Sequence, residues 1–198
     1  MPTIQHKDKP RVWRYVMPHD TGLAPCFEDG LMTLALCKPL IRKNAKVGDW
    51  LMGYASKKDG KSHSLIYYAK ITSTPTMHEY MDGVSSRTDH IYSKNHEGVF
   101  EHNGRSKYHL EKASFQKDWS VDRVIVSEKF KYFKNRVDTV GTHVEPLYYG
   151  HVGQKYAEVD KDISAYRMLQ NFIKDRKECK REKKLEKAKR KQSKIKKN

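Results

Sequence analysis

Residues 37–56, CKPLIRKNAKVGDWLMGYAS, combine a helix start, a turn and a strand. Pro39 suits the first turn of a helix, where the N–H that proline lacks would have no partner in any case. The helical turns would end near Gly48, and the apolar run WLMGYAS (50–56) has the length and composition of a strand. The stretch therefore predicts a short basic helix that leads, through Gly48, Asp49 and Trp50, into a strand.

Apolar segments on both sides of this stretch predict the other strands of a sheet. Residues 11–17 (RVWRYVM) and 31–36 (LMTLAL) are short and rich in aromatic, β-branched or aliphatic side chains. Residues 64–72 (SLIYYAKIT) follow the 50–56 strand across a glycine-containing turn, which predicts an antiparallel hairpin. Residues 18–30 hold too many Pro, Gly and Asp residues for regular structure, and a loop of this length is often functional.

The second half of the chain alternates polar loops with short elements. Thr76 and Glu79 have the spacing of a capping box for a short helix that ends at Gly83. Residues 84–120 are polar and irregular, and residues 121–133 resemble a strand. A final helix over 162–173 is predicted by apolar side chains on one face, namely Ile163, Tyr166, Leu169, Phe172 and Ile173.

Together these elements predict an α+β fold, a small mixed and mostly antiparallel β-barrel with short flanking helices, long polar loops and a C-terminal helix. We expect a flexible N-terminus over 1–10, one domain over 11–173 and a basic helical or disordered tail over 174–198. The net charge is +16, and the tail holds 14 Lys/Arg against 4 Asp/Glu. Such a tail can bind DNA or RNA backbones without sequence preference, although a solubilising end explains the same charges.

The sequence also argues against several classes of site. Its three cysteines, Cys26, Cys37 and Cys179, are widely spaced and form no Cys-x-x-Cys pair, so we expect no disulfide framework and no structural zinc. It contains no phosphate-binding loop, no His-Glu-x-x-His and no G-x-S-x-G, and we expect no metal and no cofactor. It has neither a long apolar run nor a signal peptide, which predicts a cytoplasmic protein without a membrane partner.

The stretch at 37–56 and its surroundings resemble one known family. The matching residues are Tyr15, Asp20-Thr21-Gly22, Ala24-Pro25, Cys37-Lys38-Pro39, Ile41-Arg42, Ala45, Gly48-Asp49-Trp50, Gly53, Asp89, Ile91-Tyr92 and Val121-Asp122-Arg123-Val124. They resemble the family called nucleotide modification associated domain 2, whose members occur in bacterial and phage genomes, often beside genes of DNA base modification. The resemblance covers roughly residues 13–173, and the basic tail lies outside it.

The same block is more distantly similar to PUA-like domains, including EVE and YTH domains, which accept a modified or flipped base. These resemblances imply a base or nucleotide pocket at the mouth of the barrel, with one wall formed by the loop that holds Thr21. Such a pocket needs aromatic surfaces for stacking, acceptors for the base edge and cations for phosphate. The candidates are Tyr15, Trp50, Tyr54 and Tyr92 for stacking, Asp20, Asp49 and Asp89 as acceptors, and Lys38, Arg42 and Arg123 for phosphate.

Several of these residues could instead have purely structural roles. Cys37 could be a reactive thiol beside Lys38, but no Cys-His motif is visible, and we expect a small apolar core residue instead. The corresponding structural roles are a core tryptophan at Trp50, a turn cap at Asp49, a turn residue at Asp20, a solvated cation at Arg42 and an ion pair at Asp122-Arg123.

The preferred hypothesis is a protein that binds a nucleotide or modified nucleobase without obvious catalytic chemistry, encoded by a bacterium or a phage. A second hypothesis is an enzyme of nucleotide or base hypermodification, which the family's genomic neighbours favour. Two more are a phage protein that sequesters a nucleotide immune signal and a non-specific nucleic-acid binder that uses the tail. A homo-oligomer is compatible with the sequence, which does not specify the oligomeric state.

Overall fold

The central sheet forms around the pairing of the first strand with the strand of the 37–56 stretch. The computed structural model describes residues 10–56, 64–82, 85–139, 141–147, 158–160 and 163–195. The strands are β1 (Val12–Met17), β2 (Cys26–Glu28), β3 (Leu31–Leu34), β4 (Trp50–Ala55), β5 (Leu65–Lys70), β6 (Tyr92–Lys94), β7 (Phe100–His102), β8 (Ile125–Ser127), β9 (Lys129–Val137) and β10 (Glu158–Asp160). The helices are α1 (Pro39–Asn44), α2 (Met77–Asp82), α3 (Lys112–Trp119) and α4 (Ile163–Ile195).

The described strands form three sheets. The largest has the order β10-β1-β4-β5-β9, in which β1 and β4 are parallel and the other pairs are antiparallel. The second has the order β2-β3-β8, and β6 pairs with β7. Only Glu128 separates β8 from β9, so one run of chain passes directly from the second sheet to the first. This continuity holds the two sheets next to each other.

The central sheet is buried on both faces. In β1, Trp13 and Tyr15 point into a cluster shared with Leu34 of β3 and Ile41 of α1. The alternate residue Val16 points to the opposite face, where the core includes Leu169 and Phe172 of α4. Burial on both faces explains why β1 and β5 lack the apolar–polar alternation of a half-exposed strand.

The turn between α1 and β4 is fixed by hydrogen bonds to one buried carboxylate. Asp49 accepts bonds from the backbone N–H and the guanidinium of Arg11, from Nε1 of Trp13 at 2.9 Å and from the backbone N–H of Lys46 at 3.0 Å. Gly53 in β4 leaves room for the ring of Tyr67, which any β-carbon at that position would meet. Through Asp49, the Gly48-Asp49-Trp50 block therefore holds the start of β4 beside β1.

Local sequence patterns predict most of the elements correctly. The predicted strands at 11–17, 31–36, 50–56 and 64–72 are present, and α1 begins at Pro39 as expected. The turn between β4 and β5 lies outside the described residues. Thr76 and Glu79 form the predicted capping box, in which the N–H of Glu79 donates to Oγ1 of Thr76 at 3.0 Å and the N–H of Thr76 donates to the Glu79 carboxylate at 2.8 Å.

Three expectations need correction. None of the described sheets closes into a barrel, because β2-β3-β8 forms a separate sheet; the mixed α+β class is confirmed. The segments predicted as irregular do contain regular structure: residues 18–30 contain β2, and residues 84–120 contain β6, β7 and α3. The predicted helix over 162–173 is longer than expected, because α4 continues to Ile195. Among the described helices, none is long and apolar enough to cross a membrane.

Candidate functional site

A cavity of about 230 Å³ lies where the end of β1, the turn after β3 and the segment before α3 meet. We call it the Cys37 cavity. Among the described residues, its lining includes two lysines and two histidines but no carboxylate. The lining residues are Tyr15, Met17, Pro18, His19, Thr21, Leu23, Ala24, Cys37, Lys38, Tyr108, His109 and Lys117.

Cys37 lies between β3 and α1 in a left-handed backbone conformation with φ 58°. Lys38 has φ 43° and precedes the first helical residue, Pro39. The backbone N–H of Cys37 donates a hydrogen bond of 2.7 Å to Oδ1 of Asp118, and its Sγ lies 3.6 Å from Nε2 of His109. The thiol is half-buried and lines the cavity.

His109 bridges the thiol to a buried carboxylate. Its Nδ1 lies 2.5 Å from Oδ2 of Asp118, whose side chain is fully buried and also accepts a bond of 2.9 Å from the hydroxyl of Tyr92. Two hydrogen bonds raise the pKa of His109 to about 10, and the bond to Asp118 has a larger effect than the bond to Cys37. The ring is therefore an imidazolium at neutral pH, with one N–H directed at Asp118 and the other at the sulfur.

Thiol, imidazole and carboxylate thus form a chain in which each group orients the next. A histidine beside a cysteine can exchange a proton with the sulfur or with the group that the sulfur attacks, and a carboxylate behind the histidine fixes its orientation. Cys37 and His109 are both non-glycine residues with positive φ, a conformation that costs about 1–3 kcal/mol and often occurs at functional sites. This arrangement suits nucleophilic chemistry at the sulfur.

An aromatic ring and a cation line the same cavity as the thiol. Nζ of Lys38 lies 4.8 Å from the ring centroid of Tyr15, whose hydroxyl is 2.8 Å from that of Tyr67. Burial lowers the pKa of Lys38 and raises that of Tyr15. Thr21 lines the same cavity. Three of the candidates from the sequence, Tyr15, Thr21 and Lys38, therefore meet around one space.

Asp20 lies beside this space but is not among its lining residues. Oδ2 of Asp20 accepts a hydrogen bond of 2.8 Å from Tyr132, whose ring stacks on Phe27 with centroids 4.2 Å apart. Its Oδ1 is buried without a hydrogen-bond partner among the described residues. Oδ2 of Asp20 is therefore occupied by Tyr132, and Oδ1 is free to accept a further hydrogen bond among the described residues.

The two arginines predicted to hold phosphate bind backbone carbonyls instead. Arg42 is fully buried and donates to the carbonyls of Arg123 at 2.7 Å, Val121 at 2.5 Å and Cys37 at 3.5 Å. Arg123 donates to the carbonyl of Lys43 and to Oγ1 of Thr74. Arg42 thus supports the turn that carries the thiol, whereas neither arginine lines the Cys37 cavity.

The remaining candidates lie in other parts of the fold. Asp49 fixes the turn between α1 and β4. Trp50 packs near Tyr68, with ring centroids 6.1 Å apart, on the face of the sheet that α4 covers. Tyr54 belongs to the same cluster, and its hydroxyl donates to the carbonyl of Val144 at 2.9 Å.

Asp89 and Tyr92 have separate structural partners. Asp89 is fully buried and accepts hydrogen bonds from Thr33 at 2.5 Å and from Tyr80 at 2.9 Å, with Arg87 at 3.4 Å. Tyr92 does not line the cavity, but its hydroxyl donates a hydrogen bond to the carboxylate of Asp118.

Cys37, His109 and Asp118 also hold metal-ligand atoms within 4.8 Å of one another. The bonding pattern fits such a site poorly. Cys37 and Asp118 contact opposite nitrogens of His109, and both carboxylate oxygens already accept hydrogen bonds. A metal ion bound by Sγ and Nε2 would have two protein ligands, with Asp118 as an outer partner of the imidazole.

Sequence analysis does not identify His109, Asp118, Tyr108 or Lys117. All four lie in the segment that was predicted to be irregular. His109 and Asp118 are nine positions apart and meet because α3 begins between them, a relationship that no short motif displays. The available signal is the density of histidines in that segment, which by itself assigns no role to any one of them.

The chain matches one known family of proteins. The model of the family described as nucleotide modification associated domain 2 matches residues 9–188, so the chain belongs to that family. The match includes the cavity and extends into the basic part of α4, beyond the resemblance seen from motifs alone. Neither the curated proteins nor the solved structures yielded a match.

Proposed function

We propose that this member of the nucleotide modification associated domain 2 family binds a nucleotide or modified nucleobase in the Cys37 cavity and acts in DNA modification. The family description supports the association with nucleotide modification. The cavity is our candidate for the binding site because Tyr15, Thr21 and Lys38 meet there.

The observation that carries this proposal is the charge of the cavity wall. The cationic side chains of Lys38, Lys117 and His109 line it, and no aspartate or glutamate among the described residues does. An anionic ligand is favoured at such a wall, because the cations attract phosphate and no carboxylate of this lining repels it. Tyr108 is 43% exposed and lines the same space, so it offers a ring on which a base could stack.

The size of the cavity separates the possible ligands. Its volume of about 230 Å³ is below the roughly 300–1,000 Å³ of sites that enclose drug-sized ligands. A single base or a mononucleotide is therefore favoured over a cyclic dinucleotide. This supports a role in base or nucleotide chemistry, comparable to base capture by PUA-like domains, more than the sequestration of a dinucleotide signal.

Binding can be tested by thermal shift with a panel of mononucleotides, modified nucleosides and cyclic dinucleotides. We expect at least one mononucleotide or modified nucleoside to raise the Tm of the wild-type protein. Lys38→Met should abolish that shift, because it keeps the side-chain stem but removes the charge. Lys43→Met is the matched control, since Lys43 is exposed on α1 outside the cavity and its loss should leave the shift unchanged. If no member of the panel changes the Tm, the proposal fails.

An enzyme of base or nucleotide hypermodification is the second candidate. The observation that favours it is the chain of contacts from Asp118 through His109 to Cys37. Ligand binding and catalysis would then use the same cavity.

The basic half of α4 supports an additional contact with DNA or RNA. Side chains from 177 to 189 are exposed, and most of them are Lys, Arg or Glu. A contact of this kind weakens steeply with salt, which distinguishes it from the cavity.

A further inference from the structure

We propose that Cys37, His109 and Asp118 form a catalytic triad in which the Cys37 sulfur attacks an acyl carbon carried by the bound nucleotide derivative. The inference rests on the proposed function only for the class of substrate. The triad itself rests on the geometry of the three side chains.

The three side chains differ in solvent exposure in the way that covalent catalysis requires, with Asp118 fully buried and Cys37 half-buried. Asp118 is fully buried and holds Nδ1 of His109 at 2.5 Å, so the imidazole has one orientation. Nε2 of His109 faces the sulfur at 3.6 Å, and Cys37 is half-buried at the cavity wall, where a ligand can reach it. Oδ1 of Asp118 accepts the Cys37 N–H, so one carboxylate positions both the base and the nucleophile.

The other two cysteines show that this environment is particular to Cys37. Cys26 is buried in β2, where burial is the main cause of a pKa raised to about 12. Cys179 is exposed on α4. Neither lines the Cys37 cavity, so its described lining contains no second thiol with which Cys37 could form a disulfide. Nucleophilic attack on a ligand is the chemistry that the arrangement supports.

The reaction balances as acyl transfer to water. The thiolate attacks the carbonyl carbon, its electron pair forms the S–C bond, and the carbonyl π pair moves to oxygen. When this intermediate collapses, the carbonyl re-forms, the bond from carbon to the leaving nitrogen or oxygen breaks, and Nε2 of His109 gives that atom its proton. Water then attacks the thioester while Nε2 takes a proton from it, and the C–S bond breaks with its pair on sulfur. One acyl compound and one water become a carboxylic acid and the freed N–H or O–H group.

Lys38 and Lys117 line the same cavity and can stabilise the negative charge that develops on the carbonyl oxygen. They are assigned this electrostatic role in addition to attracting an anionic substrate. The triad supplies the bond-making steps.

Alkylation by iodoacetamide, resolved for each cysteine by peptide mass spectrometry, tests the nucleophile. At about pH 6 an ordinary thiol is almost entirely protonated, so we expect Cys37 to react at least about tenfold faster than Cys179 despite lower exposure. The ratio should shrink towards about pH 9, where an ordinary thiol is largely a thiolate. His109→Gln should bring the ratio at low pH close to one. If Cys37 is slower than Cys179 at every pH in the wild-type protein, the inference is wrong whether or not the variant folds.

p-Nitrophenyl acetate tests the covalent step. We expect a burst of p-nitrophenol and one acetyl group on Cys37, followed by slower turnover as the thioester hydrolyses. Cys179→Ser should leave the burst unchanged, and Cys37→Ser should abolish it. Acetylation confined to lysines, or a burst that survives Cys37→Ser, would overturn the assignment.

Two further measurements distinguish the triad from a metal site, and the reactivity of Cys37 from nucleotide binding. If a chelator releases a metal ion and only then allows Cys37 to react, the cluster is a metal site and the inference is wrong. A nucleotide that raises the Tm should also slow alkylation of Cys37 but not of Cys179, which supports both proposals. Enhanced reactivity of Cys37 without protection by any nucleotide would support the triad and count against nucleotide binding, and nucleotide binding with an unreactive Cys37 would do the reverse.

Discussion

Nδ1 of His109 lies 2.5 Å from Oδ2 of Asp118, and the same carboxylate accepts the backbone N–H of Cys37 through its other oxygen. One fully buried aspartate therefore joins the turn after β3 to the segment before α3. The hydroxyl of Tyr92 completes its contacts at 2.9 Å. Because three donors converge on it, Asp118 links the stability of this region to the geometry of the thiol.

Asp118→Asn should destabilise the fold. The amide keeps the shape of the side chain but places an N–H₂ group against at least one donor, and it removes the negative charge that faces the imidazolium. Loss of hydrogen bonds to a charged buried group costs about 1.5–3 kcal/mol, and we expect a fall of that size in the free energy of unfolding, measured with urea.

Asp82→Asn is the control for this change. Asp82 forms an ion pair with Lys94 at 2.6 Å, but its side chain is 57% exposed. Exposed pairs contribute about 0–1 kcal/mol, so this variant should stay near wild type. Equal losses in the two variants would show that Asp118 has no special structural role.

The pH dependence of stability should carry a contribution from His109. Its pKa rises from 6.5 to about 10 in the folded protein, chiefly through the hydrogen bond to Asp118. A raised pKa means that the folded state holds the proton more tightly. The stabilisation is therefore complete below about pH 6.5 and is lost as the pH rises through about 10.

We expect the free energy of unfolding of the wild-type protein to fall towards that of His109→Gln between these pH values. Urea unfolding of both proteins measures the difference, and other titrating groups that are unaffected by the substitution cancel. A difference that stays constant across this pH range would contradict the ion pair.

The sequence predicted those parts of the fold that depend on neighbouring residues. Pro39 at the start of α1 and the Thr76–Glu79 capping box are local signals, and both are present in the structure. The strand β4 was evident from its apolar run. Such patterns remain visible because one turn or strand contains all of the residues that produce them.

The triad was not predictable in the same way, since its members come from segments far apart in the chain. In α3 the fully buried residue is Asp118, whereas the residues that a helix turns towards the core are usually apolar. The sequence favours a core role for Cys37 because its histidine partner is 72 positions away. The position of that partner depends on how α3 packs behind the turn after β3.

Arg42 provides a test between phosphate binding and structural support. Its guanidinium donates to the carbonyls of Cys37, Val121 and Arg123, and it is fully buried. Arg42→Met should remove the guanidinium donors from these carbonyls, of which Val121 keeps the backbone N–H of Arg123, and lower the free energy of unfolding by about 3 kcal/mol or more, measured with urea.

Lys38→Met is the comparison for Arg42→Met. It removes a cation from the cavity wall and should reduce nucleotide affinity while changing stability little, because burial opposes the charged form of Lys38 and lowers its pKa. If Arg42→Met instead stayed as stable as wild type and lost only ligand binding, Arg42 would be a phosphate contact after all.

Deletion of residues 180–198 should separate the tail from the cavity. The core contacts of α4 lie earlier, at Ala165, Leu169 and Phe172, and the described side chains from 177 to 189 are exposed. We therefore expect the truncated protein to keep its Tm and any nucleotide-dependent Tm shift. Its affinity for a DNA duplex of mixed sequence should fall, and so should the salt dependence of the binding that remains, because fewer counterions are released. Fluorescence anisotropy over a salt series measures both. If truncation abolished the nucleotide shift but not duplex binding, the anionic ligand would bind on α4 and not in the Cys37 cavity.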